Sequence, residues 1–185
     1  MMRIAVVMIV GLAGCGPAAK GDPGDKGDTG PAGAQGSAGP TGTTGQDILE
    51  GIGNGQLAVT PATNFTTIPG LAVSVTLPAN AKLLLETNGG VQCAATGTAF
   101  AAVDIAIFVD GSITNAQRRV VAANTTAVAQ MIANWSFGRT LLLPSGPHTI
   151  EVRAAGADPN SATANVSSAA APQLQGALTA TILRQ

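Results

Sequence analysis

The residues that could carry out catalysis are few, and the most versatile of them is a single histidine, His148. A histidine acts as a general base only when a partner positions its ring, and the sequence identifies no such partner. Serine and aspartate are present, but no nucleophile-elbow or other triad signature accompanies them. His148 follows a Gly-Pro turn and lies on the same strand face as Ile150 and Val152, which favours a structural residue packed at the start of a strand. We therefore predict that the protein is not an enzyme and uses no cofactor.

Metal or anion binding has only isolated candidates. Asp104 lies in the polar phase of an apolar strand, where its copies in a trimer could bind calcium near the axis; the alternative is an exposed strand face. No His/Cys cluster has zinc spacing, so we predict no metal site. Arg118 and Arg119 could contact an anionic ligand, but adjacent residues of a strand point to opposite faces, so only one can serve any given site.

Composition excludes further classes of protein. The chain of 185 residues has a formal net charge of -1, only 10% charged residues and no basic patch, so no electrostatic partner such as nucleic acid is indicated. Aromatic residues make up 3%, which removes the stacking platforms of a single-strand binder. Trp135 and Phe137 share a face with Leu141, which favours core packing over a sugar platform.

The chain is organised around a repeat in which every third residue is glycine. Three polyproline-II-like chains wind together only if the residue at the crowded axis has no side chain, so this period predicts a collagen-like segment at residues 21–47 and a homotrimer. Only three of its triplets contain proline, and exposed Lys-Gly-Asp pairs add at most about 1 kcal/mol each. We therefore expect another part of the chain to hold the trimer together. The axial residues are Gly21, Gly24, Gly27, Gly30, Gly33, Gly36, Gly39, Gly42 and Gly45.

The first fourteen residues have the layout of a secretory signal: one cation at Arg3, a short apolar run and small residues at the end. The sequence Leu12-Ala13-Gly14-Cys15 resembles the lipobox of bacterial lipoproteins, which implies lipidation of Cys15 and membrane attachment of the mature chain. Ordinary cleaved secretion is the alternative. By the same resemblance, Gly16 favours the outer membrane of the bacterial cell envelope, and residues 15–20 form a tether.

The second cysteine, Cys93, has no partner within the chain if Cys15 is lipidated. Its surroundings favour a small buried filler, with an interchain disulfide or a reactive thiol as alternatives. Between the repeat and the rest of the chain, residues 48–56 are predicted to form a neck. Its apolar residues Ile48, Leu49 and Ile52 could let three chains meet around an axis, or the segment could be a flexible connection.

Residues 57–185 read as short strands separated by turn residues, with no helical periodicity. About eight strands predict an all-β fold, an antiparallel β-sandwich and more specifically a jelly roll. The predicted strands are 71–77, 81–87, 101–110, 118–123, 128–143, 148–155, 162–168 and 174–184. The predicted turns are 78–80, 88–90, 110–111, 144–147 and 158–160.

A resemblance adds to this prediction. Residues 141–153, LLLPSGPHTIEVR, resemble the hairpin between two late strands in bacterial heads that are similar to the C1q and tumour-necrosis-factor jelly rolls. The resemblance implies a head that trimerises with its last strand, residues 178–184, near the threefold axis. The expected function is multivalent adhesion or binding of a protein or carbohydrate ligand through loops such as 94–98, 113–117 and 156–162. The alternative is a structural envelope or appendage component whose head only trimerises the stalk.

Overall fold

The computed structural model describes residues 46–184, in which all regular structure is β-strand. Apolar and polar side chains alternate along most strands, so one face of each strand is buried and the other is not. No helix in this range has the length and apolar character needed to cross a membrane. The strands are β1 (Asp47–Ile52), β2 (Leu57–Val59), β3 (Thr66–Leu77), β4 (Lys82–Cys93), β5 (Ala99–Val109), β6 (Ser112–Asn124), β7 (Ile132–Leu141), β8 (Gly146–Gly156), β9 (Ala164–Val166) and β10 (Ala177–Leu183).

The strands form two antiparallel sheets that enclose one core, so the described part of the chain is a β-sandwich. In sheet A, β10 pairs with β1 on one side and with β4 on the other, and β7 pairs with the opposite edge of β4. Beyond the end of β10, the short strand β9 pairs with β4, and β2 pairs with β9. Sheet B runs β3-β8-β5-β6. Leu83 and Leu85 of sheet A and Ile105, Ile107 and Ile150 of sheet B are fully buried between them. Burying each such side chain stabilises the fold by about 1.5–3 kcal/mol.

The predicted strand regions correspond to β3 through β10, and the all-β antiparallel prediction is confirmed. The turns at residues 78–80, 110–111 and 158–160 are also found. Asp110 and Gly111 both have positive φ, 50° and 77°, which is the backbone geometry that a two-residue hairpin between β5 and β6 needs.

The predicted turn at residues 88–90 is wrong, because Asn88, Gly89 and Gly90 lie inside β4. The two glycines are required by close neighbours on opposite sides of the sheet. A Cβ at residue 89 would lie 2.3 Å from the Trp135 indole, and one at residue 90 would lie 2.9 Å from Leu174. Glycine in a strand marks such close approach as well as turns, and sequence alone does not separate the two.

The segment 48–56, predicted to be a neck, contains most of β1, which is hydrogen-bonded to β10 from Asp47 to Ile52. This segment is therefore part of the sandwich. The predicted loop 113–117 is also wrong, because these residues belong to β6. The signal segment, Cys15 and the glycine repeat lie outside the described residues.

Candidate functional site

His148 connects two turns at one end of the sandwich. It lies near the start of β8 with its side chain only 10% exposed, as predicted for a packed structural residue. Its Nδ1 is 2.7 Å from a carboxylate oxygen of Asp110, in the β5–β6 turn, and its Nε2 is 2.9 Å from the carbonyl oxygen of Pro144. The other carboxylate oxygen of Asp110 accepts a hydrogen bond from the backbone N–H of Thr149.

The geometry around His148 favours the charged imidazolium. A carboxylate and a backbone carbonyl can only accept hydrogen bonds, so both ring nitrogens must donate, which requires both to be protonated. The hydrogen bond to Asp110, followed by that to Pro144, raises the pKa of His148 above its usual value. The same contact with His148, followed by the Thr149 N–H, lowers the pKa of Asp110. The ring is fully engaged in holding the turns together.

We expect the stability of the head to depend on pH through this pair. The raised pKa of His148 means that its contribution is complete below about pH 6.5 and is lost as the pH rises through the folded-state value. The lowered pKa of Asp110 means that its contribution is present above about pH 4 and is lost as the pH falls through its folded-state value. Urea unfolding between pH 3 and 9 should therefore show a maximum between these limits.

Asp110→Asn is the matched variant for this test, because asparagine tolerates the positive φ of the turn but lacks the charge. It should remove most of the decline in stability above neutral pH. An unchanged alkaline decline in this variant would show that another group is responsible.

Asp104 is paired with Arg119 across strands β5 and β6. Both carboxylate oxygens accept guanidinium hydrogen bonds of 2.9 Å, a bidentate geometry, on the outward face of sheet B. The carboxylate is thus occupied by a cationic side chain. Within residues 46–184, no group of three or more His, Cys, Asp or Glu residues is placed to hold a metal ion.

The remaining predicted site residues divide between core and surface. Trp135 and Phe137 are core residues, 2% and 9% exposed, as predicted. Arg118 and Arg119 point to opposite faces, since Arg118 lies 5.7 Å from the Phe137 ring while Arg119 pairs with Asp104. The thiol of Cys93 is buried in the core, which confirms the prediction of a small filler.

The outward face of sheet B is occupied by contacts within the chain. Glu151 accepts a hydrogen bond of 2.6 Å from the Thr67 hydroxyl and forms an ion pair with Arg153. The Thr67 contact first, and Arg153 as well, lower the pKa of Glu151. The guanidinium of Arg153 lies 4.3 Å from the Phe108 ring, and Phe65 packs on the same ring. Glu151 and Arg153 are thus paired within the chain, although the buried Nε of Arg153 has no hydrogen-bond partner among residues 46–184.

The outward face of sheet A differs, because it exposes apolar side chains beside small polar ones. Ile48 and Ile52 of β1 are 63% and 48% exposed. Ile48 lies opposite Thr181 of β10, which in turn lies opposite Leu84 of β4. We call the outward side chains of β1 and β10, together with Leu84, the β1–β10 face. Its middle row, Glu50, Thr179 and Glu86, is polar.

A cleft lies on the same outward side of sheet A, where the segment 168–175 borders β4 and β7. Asn88 shares its strand face with Leu84, and Ser136 lies directly opposite Asn88. This cleft has a volume of about 360 Å³. Amide and hydroxyl side chains dominate its lining, and none of its lining side chains is titratable. The residues that line it include Asn88, Asn134, Ser136, Pro172, Gln173 and Gln175.

Fixed contacts hold the segment that forms one wall of the cleft. Gly90 N–H donates to the Leu174 carbonyl at 3.0 Å, and the Gln175 amide donates to the Gly53 carbonyl at 2.9 Å. Beneath the cleft, the Trp135 indole N–H donates to the Thr87 hydroxyl at 3.1 Å. Sequence analysis missed this cleft because its residues come from three separate parts of the chain.

The loops that were predicted to bind ligand are only partly brought together. Segment 94–98 lies beside the loop that follows β8, since Ala94 N–H donates to the Thr163 carbonyl at 2.9 Å. Residues 113–117 are in β6, toward the opposite end of β5. No family model matches the chain, and a search of curated proteins finds no match either.

Proposed function

We propose that the chain is a lipid-anchored, trimeric, collagen-like surface protein whose β-sandwich head binds ligands multivalently. The observation that carries the proposal is the continuity between the glycine repeat and the sandwich. The last axial glycine is Gly45, and β1 begins at Asp47. A segment that requires three chains thus leads directly into the strand that bears Ile48 and Ile52.

The strand order supports a jelly-roll head of the C1q and tumour-necrosis-factor type. The main strands of sheet A, β1-β10-β4-β7, pack against β3-β8-β5-β6 of sheet B, so that strands distant in sequence become neighbours. In heads of that type the last strand lies near the threefold axis. The last strand here is β10, at the centre of the β1–β10 face.

The β1–β10 face is the surface that suits trimer formation best. Its strand β1 follows the repeat directly in the sequence. The face exposes Ile48 and Ile52 to water in the single chain, and contact with other chains would bury them. The outward face of sheet B carries the four charged groups of the Asp104–Arg119 and Glu151–Arg153 ion pairs, which contacts with another copy would partly desolvate. The β1–β10 face carries fewer charges, Glu50 and Glu86 in its middle row. Burial of the β1–β10 face would provide the stable trimer that the proline-poor repeat needs.

Trimeric display explains how weak ligand contacts could be useful. Three copies on one stalk bind a repetitive surface with greater avidity than any single contact provides. Lipidation of Cys15 would hold the assembly at the cell envelope, by the lipobox resemblance. The proposal includes no catalytic step.

The test is the mass in solution of the chain after Cys15, compared with that of residues 46–185, which begin one residue before β1. We expect both to be trimers, and the longer chain to show the circular dichroism of a collagen triple helix. A monomeric head would overturn the assignment of the β1–β10 face. A trimer in which no surface or ligand binds the head would favour a structural envelope component.

A further inference from the structure

We propose that the cleft between β4, β7 and segment 168–175 binds an uncharged saccharide. This inference rests on the proposed function, because it names the class of ligand that the three heads would bind multivalently. The volume of about 360 Å³ lies within the range of small-molecule sites, which is about 300–1,000 Å³. The cleft is therefore large enough for a sugar unit.

The lining chemistry favours sugar hydroxyls over other ligands. Asn88, Asn134 and Gln173 each offer an acceptor oxygen and a two-hydrogen donor, and Ser136 adds a hydroxyl. A sugar hydroxyl is likewise both donor and acceptor, so two adjacent hydroxyls can pair with the oxygen and the NH2 group of one carboxamide. An anionic or cationic ligand would find no opposite charge among the lining residues, while Pro172 offers an apolar surface to the C–H groups of a sugar ring.

The amide and hydroxyl side chains at the mouth of the cleft are available to hydrogen-bond a ligand. Asn88, Asn134, Ser136 and Gln173 are exposed. No side-chain hydrogen bond within residues 46–184 involves them, whereas Gln175 is held by Gly53. Asn88 and Ser136 are direct partners across strands β4 and β7, and Asn134 lies opposite Gly90. These three side chains thus stand on one rigid sheet surface, which limits the entropy lost on binding.

The two glycines of β4 support a built cleft. A strand with side chains at residues 89 and 90 could not accommodate both Trp135 below and segment 173–174 above. Glycine in a strand interior costs about 0.5–1 kcal/mol relative to alanine. The chain contains these residues where they allow segment 168–175 to approach the sheet and form the cleft wall.

The experiment uses the full chain in detergent, with ligand-observed NMR and calorimetry against glucose, galactose, mannose and N-acetylglucosamine, and glucuronate as the charged control. We expect at least one neutral sugar to bind, with a Kd of about 1 mM per site. Asn134→Ala combined with Gln173→Ala should weaken binding by about tenfold or more. Asn115→Ala, an exposed amide on β6, is the matched control and should leave binding unchanged.

Absence of binding to all four neutral sugars, or binding that the double variant does not weaken, would overturn the saccharide proposal. Stronger binding of glucuronate than of glucose would also overturn it. Mass measurements on the same samples separate this failure from that of the proposed function. A trimer without sugar binding contradicts only the cleft, and a monomer contradicts the display.

Discussion

Replacing Ile48 by arginine is expected to convert the trimer into a monomer while leaving each head folded. Ile48 is 63% exposed in the single chain, so its substitution removes little core packing. In the trimer that we propose, three arginines would replace apolar contacts at the β1–β10 face, and pairing with Glu50 would still leave each charge desolvated. Taking a charge out of water costs several kcal/mol even when it is paired, and the trimer would contain three. Sedimentation of the chain after Cys15 measures the change in mass.

Val121→Arg is the matched control, since Val121 is 51% exposed on the outward face of sheet B. We expect this variant to remain trimeric with unchanged strand content by circular dichroism. If Ile48→Arg stays trimeric and Val121→Arg dissociates, the interface lies on sheet B and our assignment is wrong. If both remain trimeric, contacts outside both faces hold the chains together.

The second large effect is expected from Trp135→Ala. The indole is 2% exposed, packs against Gly89 and donates to Thr87, whose hydroxyl donates onward to the Ala177 carbonyl. Truncating a buried tryptophan costs about 3–5 kcal/mol because a cavity remains. Urea unfolding at one fixed protein concentration measures the loss, since the stability of an oligomer depends on concentration.

A double-mutant cycle with Gly89→Ala tests whether the indole is the reason for the glycine. In the native chain the added Cβ would lie 2.3 Å from the indole, so we expect overpacking to cost about 1–3 kcal/mol. In the Trp135→Ala background the clash with the indole is relieved and only the contact with the Gly176 Cα, at 2.9 Å, remains, giving a coupling of about 1 kcal/mol or more. Additive effects of the two substitutions would contradict the proposed contact.

Several features of the head could be predicted from local sequence because their physical cause is local. The alternation of Val103, Ile105 and Ile107 indicates one buried face of a strand, and β5 buries them. Asp110-Gly111 predicts a hairpin because both residues tolerate positive φ. The packed role of His148 could be predicted because it lies on the same strand face as Ile150. Its partners Asp110 and Pro144 could not be predicted.

Other features depend on contacts between residues far apart in the chain. Gly89 and Gly90 resemble a turn until Trp135 and Leu174 are placed against them. The segment around Ile48 resembles a connection until its backbone pairs with β10, more than a hundred residues later. The cleft also combines separate segments, so no short pattern announces it.

The sequence alone determined the period-three glycines, and hence the prediction of three chains, because the steric limit at a triple-helix axis acts on each residue separately. It also determined the all-β character of the head, because the alternation of side chains is a property of each strand. Only the tertiary structure decided which strands are neighbours, which sheet face exposes isoleucine and where the amides converge. Those features arise from long-range strand pairing, which is set by packing of the whole core rather than by local preference.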